Sequence, residues 1–166
     1  MGQDIPVLVL VTGRPGVGKS TLAPKLAKAL SCPLVSRDEI YEGIRRTRRA
    51  GPEAPADDGV MMTAFDAFFG TVELLVRAGV TLVAEAAFQD PRWRLGLGPI
   101  TTLADIRIVH CVLDPELAAE RVARRRGYPS KNGPFVPLSL PVPSLTVDTS
   151  DGYAPGFHEI VAFLDQ

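Results

Sequence analysis

The sequence predicts an α/β fold built on a parallel, doubly wound sheet, and three observations carry that expectation. Apolar runs of strand length alternate with amphipathic segments of helix length along the 166 residues. The first run, Val7-Leu8-Val9-Leu10-Val11, is β-branched and aliphatic throughout, the pattern of a strand buried on both faces. A loop carrying Gly13, Gly16 and Gly18 then feeds directly into a helical pattern.

The elements follow in order. Residues 19–30 place Leu22, Leu26, Ala29 and Leu30 at helical spacing, and Pro24 within them predicts a local bend or a tightened first turn. Residues 33–36 read as a second strand, and Ser36 with Glu39 three residues on reads as a capping box that opens a helix running toward Arg49. Residues 51–59 are a polar break rich in Pro and Asp. Residues 60–78 carry Met61, Ala64, Phe65, Phe68, Phe69, Val72, Leu75 and Val76 at spacings of three and four, a long amphipathic helix.

The third strand is expected over residues 80–84, ending at Glu85, with Pro91 opening a helix that contains Trp93. Residues 106–113 read as the fourth strand. Asp114-Pro115 reads as an N-cap with proline in the first turn of a helix through Arg126, which Gly127 ends. A proline-rich stretch over residues 128–143 is an extended wrapping loop before a fifth strand at 144–147 and a last helix at 157–164.

Composition bounds the function. Hydrophobic residues make up 46% and charged residues 22%, which suits one globular domain over residues 1–166. Lys+Arg total 18 against Asp+Glu 19, so the formal charge of -1 creates no overall field toward nucleic acid or anionic lipid. The two cysteines, Cys32 and Cys111, cannot build a disulfide framework and lie in or beside apolar runs as reduced thiols. With no apolar stretch near the amino terminus long enough to span a membrane, a cytoplasmic protein without membrane attachment is expected, as a monomer or homodimer.

The sharpest signal is Gly13-Arg14-Pro15-Gly16-Val17-Gly18-Lys19-Ser20, which satisfies the phosphate-loop pattern G-x-x-x-x-G-K-[ST] at every fixed position. It follows a buried strand and opens a helix, so backbone amides and the positive end of the helix dipole converge where phosphates would sit. Lys19 reaches the β- and γ-phosphates, the Ser20 hydroxyl coordinates Mg²⁺, and Thr21 adds an α-phosphate contact. The pattern specifies a nucleoside triphosphate with Mg²⁺ and leaves the acceptor of the γ-phosphoryl open.

Three further features bear on that acceptor. Asp38 follows the second strand, at the carboxyl-end crevice of the sheet, where it can accept the proton of an attacking hydroxyl or simply favour the helix dipole. Glu85 ends an apolar strand, where an acid can hold Mg²⁺ or its water shell or be a plain surface glutamate. Arg121, Arg124, Arg125 and Arg126 cluster near a glycine and the proline-rich loop, as a solvated face or as a short arginine-rich lid at about 119–133. Arg45, Arg46, Arg48 and Arg49 form a second cluster, either gripping a phosphorylated or nucleic-acid acceptor or solvated and paired with acids such as Asp57 and Asp58.

Together the residues 13–20, the run Ser36-Arg37-Asp38-Glu39, the strand end Val83-Ala84-Glu85, Cys111-Val112-Leu113-Asp114 with the arginines that follow, and residues 147–153 resemble the P-loop kinase superfamily. Within it the chain is similar to single-domain AAA-domain or AAA family ATPases related to polynucleotide 5′-kinases, zeta toxins and chloramphenicol phosphotransferase. The resemblance covers nearly the whole chain.

It implies a three-layer P-loop NTPase fold with a five-stranded parallel sheet in the order 2-3-1-4-5. It implies Asp38 as general base, Arg121 against the adenine face, Arg125 against the phosphates, and residues 148–153, including Thr149, lining the adenine pocket. Tyr41 stands where polynucleotide kinases place an arginine for the acceptor phosphate, which speaks against a nucleic-acid partner. Too few residues follow the last strand for the helical lid of a ring motor.

The expectation is therefore an Mg-ATP-dependent kinase acting on the hydroxyl of a small molecule. Asp38, Lys19 and Arg125 are its catalytic residues, and residues 13–21 with Arg121, Arg125 and Thr149 bind the nucleotide. Ser20 and Glu85 hold the metal. The acceptor is expected between the Asp38 helix, Tyr41, the Met61 to Phe69 stretch and residues 86–93. A regulatory ATPase with water as acceptor and a polynucleotide 5′-hydroxyl kinase are the alternatives.

Overall fold

In the computed structural model, which describes residues 5–48, 58–126 and 134–166, successive residues of the first strand β1 (Val7–Thr12) face opposite layers. Leu8 and Leu10 belong to one buried cluster with Phe68, Phe69, Val72, Phe88 and Ile100. Val9 and Val11 belong to another with Leu22, Leu26, Val109, Ala118 and Ile160. Both clusters need cover, so an uninterrupted apolar strand dictates a three-layer fold.

That cover comes from α1 (Lys19–Ala29), α5 (Pro115–Arg126) and α6 (Phe157–Leu164) on the second cluster, and from α3 (Asp58–Arg77) and α4 (Arg92–Leu97) on the first. With β2 (Leu34–Ser36), α2 (Arg37–Thr47), β3 (Leu82–Glu85), β4 (Asp105–Val112) and β5 (Ser144–Asp148), the chain completes one parallel five-stranded sheet in the order β2-β3-β1-β4-β5. This is the predicted order. The change of direction at β1 and β3 opens a crevice at their carboxyl ends, where the glycine loop and Glu85 lie.

The element boundaries depart from the sequence pattern where capping decides. β3 begins at Leu82 and takes in Glu85, where residues 80–84 were expected, because Val80 is engaged in ending α3. The amides of Gly79 and Val80 bond back to Val76 and Leu75 at 3.0 Å each, with Gly79 at φ +76°. α3 starts at Asp58, inside the expected polar break. Pro91 is the N-cap of α4 and stands just outside the helix it was expected to open. The box at Ser36 is half formed: its hydroxyl accepts from the Glu39 amide at 3.5 Å and is otherwise turned to Glu85.

α1 runs unbroken through Pro24. α3 is long and apolar enough to cross a membrane by length and composition, but its Val60, Ala64, Phe68, Phe69, Val72 and Val76 are buried within the fold. Cys111 is buried, and burial pushes its thiol up to about 12, so it is an inert core group. Arg49 and residues 127–133, including Gly127 and the distal part of the expected lid, lie outside the described residues.

Candidate active site

The loop between β1 and α1 requires its glycines. Gly13, Gly16 and Gly18 adopt φ of +145°, +86° and +90°. A Cβ on Gly13 would lie 2.4 Å from the carbonyl oxygen of Cys111, and one on Gly16 2.3 Å from that of Ala118. The loop is thus clamped onto the ends of β4 and α5. Gly18 caps α1 without a side-chain acceptor, which leaves the start of that helix to an external anion.

Lys19, only 7% exposed, turns its ammonium back across the loop and donates to the Arg14 carbonyl at 2.9 Å. Burial lowers its proton affinity, Glu85 and then Asp38 raise it, and Arg125 lowers it again. These groups from four elements therefore share one electrostatic neighbourhood. Arg121 and Arg125 are exposed one turn apart on α5 and make no ion pair among the described residues. The Arg14 guanidinium lies 5.8 Å from the centroid of Phe135.

Glu85 is 2% exposed at the end of β3. Its Oε2 accepts from the Ser36 hydroxyl at 2.8 Å, while Oε1 is buried with no hydrogen-bond partner among the described residues. Burial raises this carboxyl above the ordinary carboxylate range, against the pull of Ser36 and Lys19. An unsatisfied carboxylate oxygen beside a phosphate loop suits a divalent cation. Ser20 and Glu85 line the same cavity of about 220 Å³, so a hydroxyl and a carboxylate are both available to Mg²⁺. Such an ion takes its remaining ligands from phosphates and water, so two protein oxygens suffice.

A second cavity of about 460 Å³ opens on the other side of Asp38, lined by Pro15, Lys19, Arg37, Asp38, Met61, Phe65, Ala87, Gln89, Asp90, Arg92 and Trp93. Asp38 borders both cavities and is 69% exposed, with Oδ1 accepting from Arg37 Nη1 at 3.1 Å. It occupies the first turn of α2, so both roles weighed from the sequence are compatible with its place.

The expected acceptor walls are present except Tyr41. Its ring lies between the guanidinium carbons of Arg37 at 5.2 Å and Arg45 at 5.8 Å, and Arg37 takes its place on the cavity. Arg45 also pairs with Glu42 at 3.8 Å, within its own helix.

Three contacts were not predicted. The segment over residues 134–140 folds back beside the second cavity through the bridge of Gln89 with Pro137, and Asp90 anchors it. The Asp90 carboxylate accepts from the Ser139 amide at 2.7 Å and from Arg94 at 2.7 and 3.0 Å. Thr149 is buried, and its hydroxyl lies 2.7 Å from the Val17 carbonyl oxygen, within the loop itself. It braces the loop from beneath. Thr12 ties the end of β1 to the segment after β3, its hydroxyl accepting from the Phe88 amide at 3.1 Å.

Comparison with known proteins places this geometry. Residues 8–136 match the model of the AAA domain family (AAA_33). The structure of a presumed kinase from Chloroflexus aurantiacus is 26% identical with a TM-score of 0.80, covering 98% of both chains. The APS kinase of Mycobacterium tuberculosis, solved with AMPPNP and APS, is 17% identical with a TM-score of 0.69 over 97% of this chain and 98% of that one. Uncharacterized proteins of Mycobacterium tuberculosis and Mycobacterium bovis are 25% identical over 128 residues, 72% of this chain. The chain spans about a quarter of the length of these curated relatives, 26%.

Proposed function

The chain belongs to the AAA domain family, with a P-loop kinase fold, and from that premise we propose that it is an ATP-dependent phosphotransferase acting on the hydroxyl of a small molecule. The observation that carries this reading is the place of Asp38. It borders the cavity of Ser20 and Glu85 on one side and a larger, aromatic-walled cavity holding Lys19 on the other. A nucleotide seated on residues 13–21 would bring its terminal phosphate to the junction of the two. A cavity of about 460 Å³ has the size of a small-molecule site.

In this reading the acceptor hydroxyl gives its proton to the Asp38 carboxylate as its oxygen bonds to the γ-phosphorus. The bond from that phosphorus to the β,γ-bridging oxygen breaks, and ADP leaves with the electron pair. Lys19 stabilises charge on the β- and γ-oxygens, more strongly for being desolvated. Ser20 and Glu85 would hold Mg²⁺, which supplies charge neutralisation across the phosphates. Arg121 and Arg125 act from α5, the second nearest the transferring group, and Thr149 positions the loop. Catalysis is then chiefly orientation and electrostatics.

The fold shared with an APS kinase solved with AMPPNP supports the nucleotide assignment. The test is ADP release measured across a panel of hydroxyl compounds with mass analysis of the products. Stimulated ADP release matched by a phosphorylated alcohol is the expected result. Slow, unstimulated turnover yielding only inorganic phosphate would make the protein a regulatory ATPase instead.

A further inference from the structure

The second cavity has a charge balance that a neutral alcohol would leave unsatisfied. Arg37 and Arg92 both line it, beside Lys19, whose charge answers Glu85 and, in the reading above, the nucleotide phosphates. Of its two carboxylates, Asp90 is taken by Arg94 and the Ser139 amide, and Asp38 meets one nitrogen of Arg37. The Arg37 side chain is only 17% exposed, its Nε is buried without a partner among the described residues, and its guanidinium is held over Tyr41. Arg92 lies with its guanidinium carbon 5.4 Å from the Phe65 centroid and its Nη2 2.6 Å from Met62 Sδ, and has no carboxylate partner among the described residues.

A buried guanidinium nitrogen without an acceptor is costly unless something else supplies one. Two planar forks on one cavity, each steadied by an aromatic ring, match an oxyanion far better than a hydroxyl. The remaining wall, Met61, Phe65 and Trp93, is apolar and aromatic.

We infer that the acceptor is an anionic alcohol, whose carboxylate or phosphate-type group is bound by Arg37 and Arg92 while an apolar or planar part lies against Phe65 and Trp93. The inference rests on the phosphotransferase reading above, and it assigns Arg37 and Arg92 as specificity residues of the acceptor site. Asp38 then faces the hydroxyl at the inner end, beside Lys19.

The test is a titration followed through Trp93, the single tryptophan, with the phosphate loop first saturated with Mg-AMPPNP so that no probe anion can occupy it. Benzoate and phenyl phosphate are the anionic probes, separating a carboxylate site from a phosphate site, and benzamide is the neutral match. At least one anion is expected to bind while benzamide does not, and Arg92→Gln is expected to weaken that anion about ten-fold, as for loss of one charge-assisted contact. Arg37→Lys, which keeps the charge and lacks Nε, is expected to weaken it as well.

Benzamide binding as well as the anions, or anion affinity unmoved in both variants, overturns the inference. So does the absence of any anion response when AMPPNP binds normally. Failure of AMPPNP itself to bind would strike the phosphotransferase reading, a different result in the same experiment.

Discussion

The hydroxyl of Thr149 donates to the carbonyl of Val17 at 2.7 Å, joining the end of β5 to the phosphate loop across 132 residues of sequence. Because the peptide bond is planar and trans, turning the Val17 carbonyl toward Thr149 turns the Gly18 amide the opposite way. The direction of one loop donor is therefore set from β5, and not by the loop alone.

Thr149→Val keeps the shape and removes the donor, leaving a carbonyl oxygen of the loop unsatisfied. The expected cost is about 1–2 kcal/mol of stability, together with weaker nucleotide binding and a raised KM for ATP at nearly constant kcat. Thr149→Ser, which restores the hydroxyl, should recover most of the affinity. Calorimetry with Mg-AMPPNP checks both. Equal affinity in all three proteins would show that the loop needs no brace.

Asp38→Asn tests the proposed base. The substitution keeps the size and removes the proton acceptor at a position that is largely exposed, so the fold should be unchanged. Phosphoryl transfer is expected to fall by ~10²–10⁴-fold, with AMPPNP affinity held within a few-fold. Lys19→Ala, by contrast, removes the ammonium that spans the loop to Arg14 and should lose both binding and transfer. Full transfer activity in the Asn variant would return Asp38 to the role of a helix-start carboxylate.

How much of this was legible in the sequence follows from the range of the interactions concerned. The glycine loop is a local pattern, and its three positive φ angles are properties of consecutive residues, so motif and geometry agree. Glu85 and Asp38 were placed by strand polarity alone, because the carboxyl ends of parallel strands share one side of a sheet. The sheet order came from the resemblance; periodicity could not supply it. The brace by Thr149, the bridge of Gln89 to Pro137 and the anchoring of that segment on Asp90 depend on partners distant in sequence, and a proline-rich run shows no period to betray them. Tyr41 was expected among the acceptor walls, as part of the helix that carries Asp38. Its ring instead packs against the guanidiniums of Arg37 and Arg45, which lie one helical turn to either side and so within reach of it.

The carboxyl of Glu85 predicts a distinctive pH dependence. Burial raises its proton affinity in the folded state, so its protonated form dominates to higher pH than in the unfolded chain. The stability this contributes is complete below the ordinary carboxylate range and drains away as pH rises through the raised value. Without metal, Tm should therefore fall over that interval, and Mg-AMPPNP, which favours the ionised form, should oppose the fall. In Glu85→Gln this pH-dependent loss should vanish, along with most of the Mg²⁺ dependence of nucleotide binding. The acid limb of kcat/KM for Mg-ATP should lie above the range of an ordinary glutamate. A metal-free melting profile identical in wild type and Gln variant would show that Glu85 does not titrate there, and an unchanged Mg²⁺ dependence of nucleotide binding would show that it does not meet the metal.

Gly16 connects the phosphate loop to the arginines of α5. Its φ of +86° already disfavours any side chain, and a Cβ would approach the Ala118 carbonyl oxygen to 2.3 Å and Val122 Cγ2 to 2.9 Å. Gly16→Ala must therefore push the loop and α5 apart, at a cost on the order of 2–4 kcal/mol from the left-handed backbone and the overpacking together. Gly70→Ala in α3 meets nothing within 4 Å and should instead gain about 0.5–1 kcal/mol, which separates the local clash from a general effect of added methyl groups. The functional consequence is sharper than the loss of stability. If Arg125 acts through the spacing that Gly16 sets, Arg125→Ala should lower kcat strongly in the wild-type background and much less in Gly16→Ala, a coupling that a double-mutant cycle measures directly. Additive effects would mean that α5 brings its arginines to the phosphates by a motion independent of its contact with the loop.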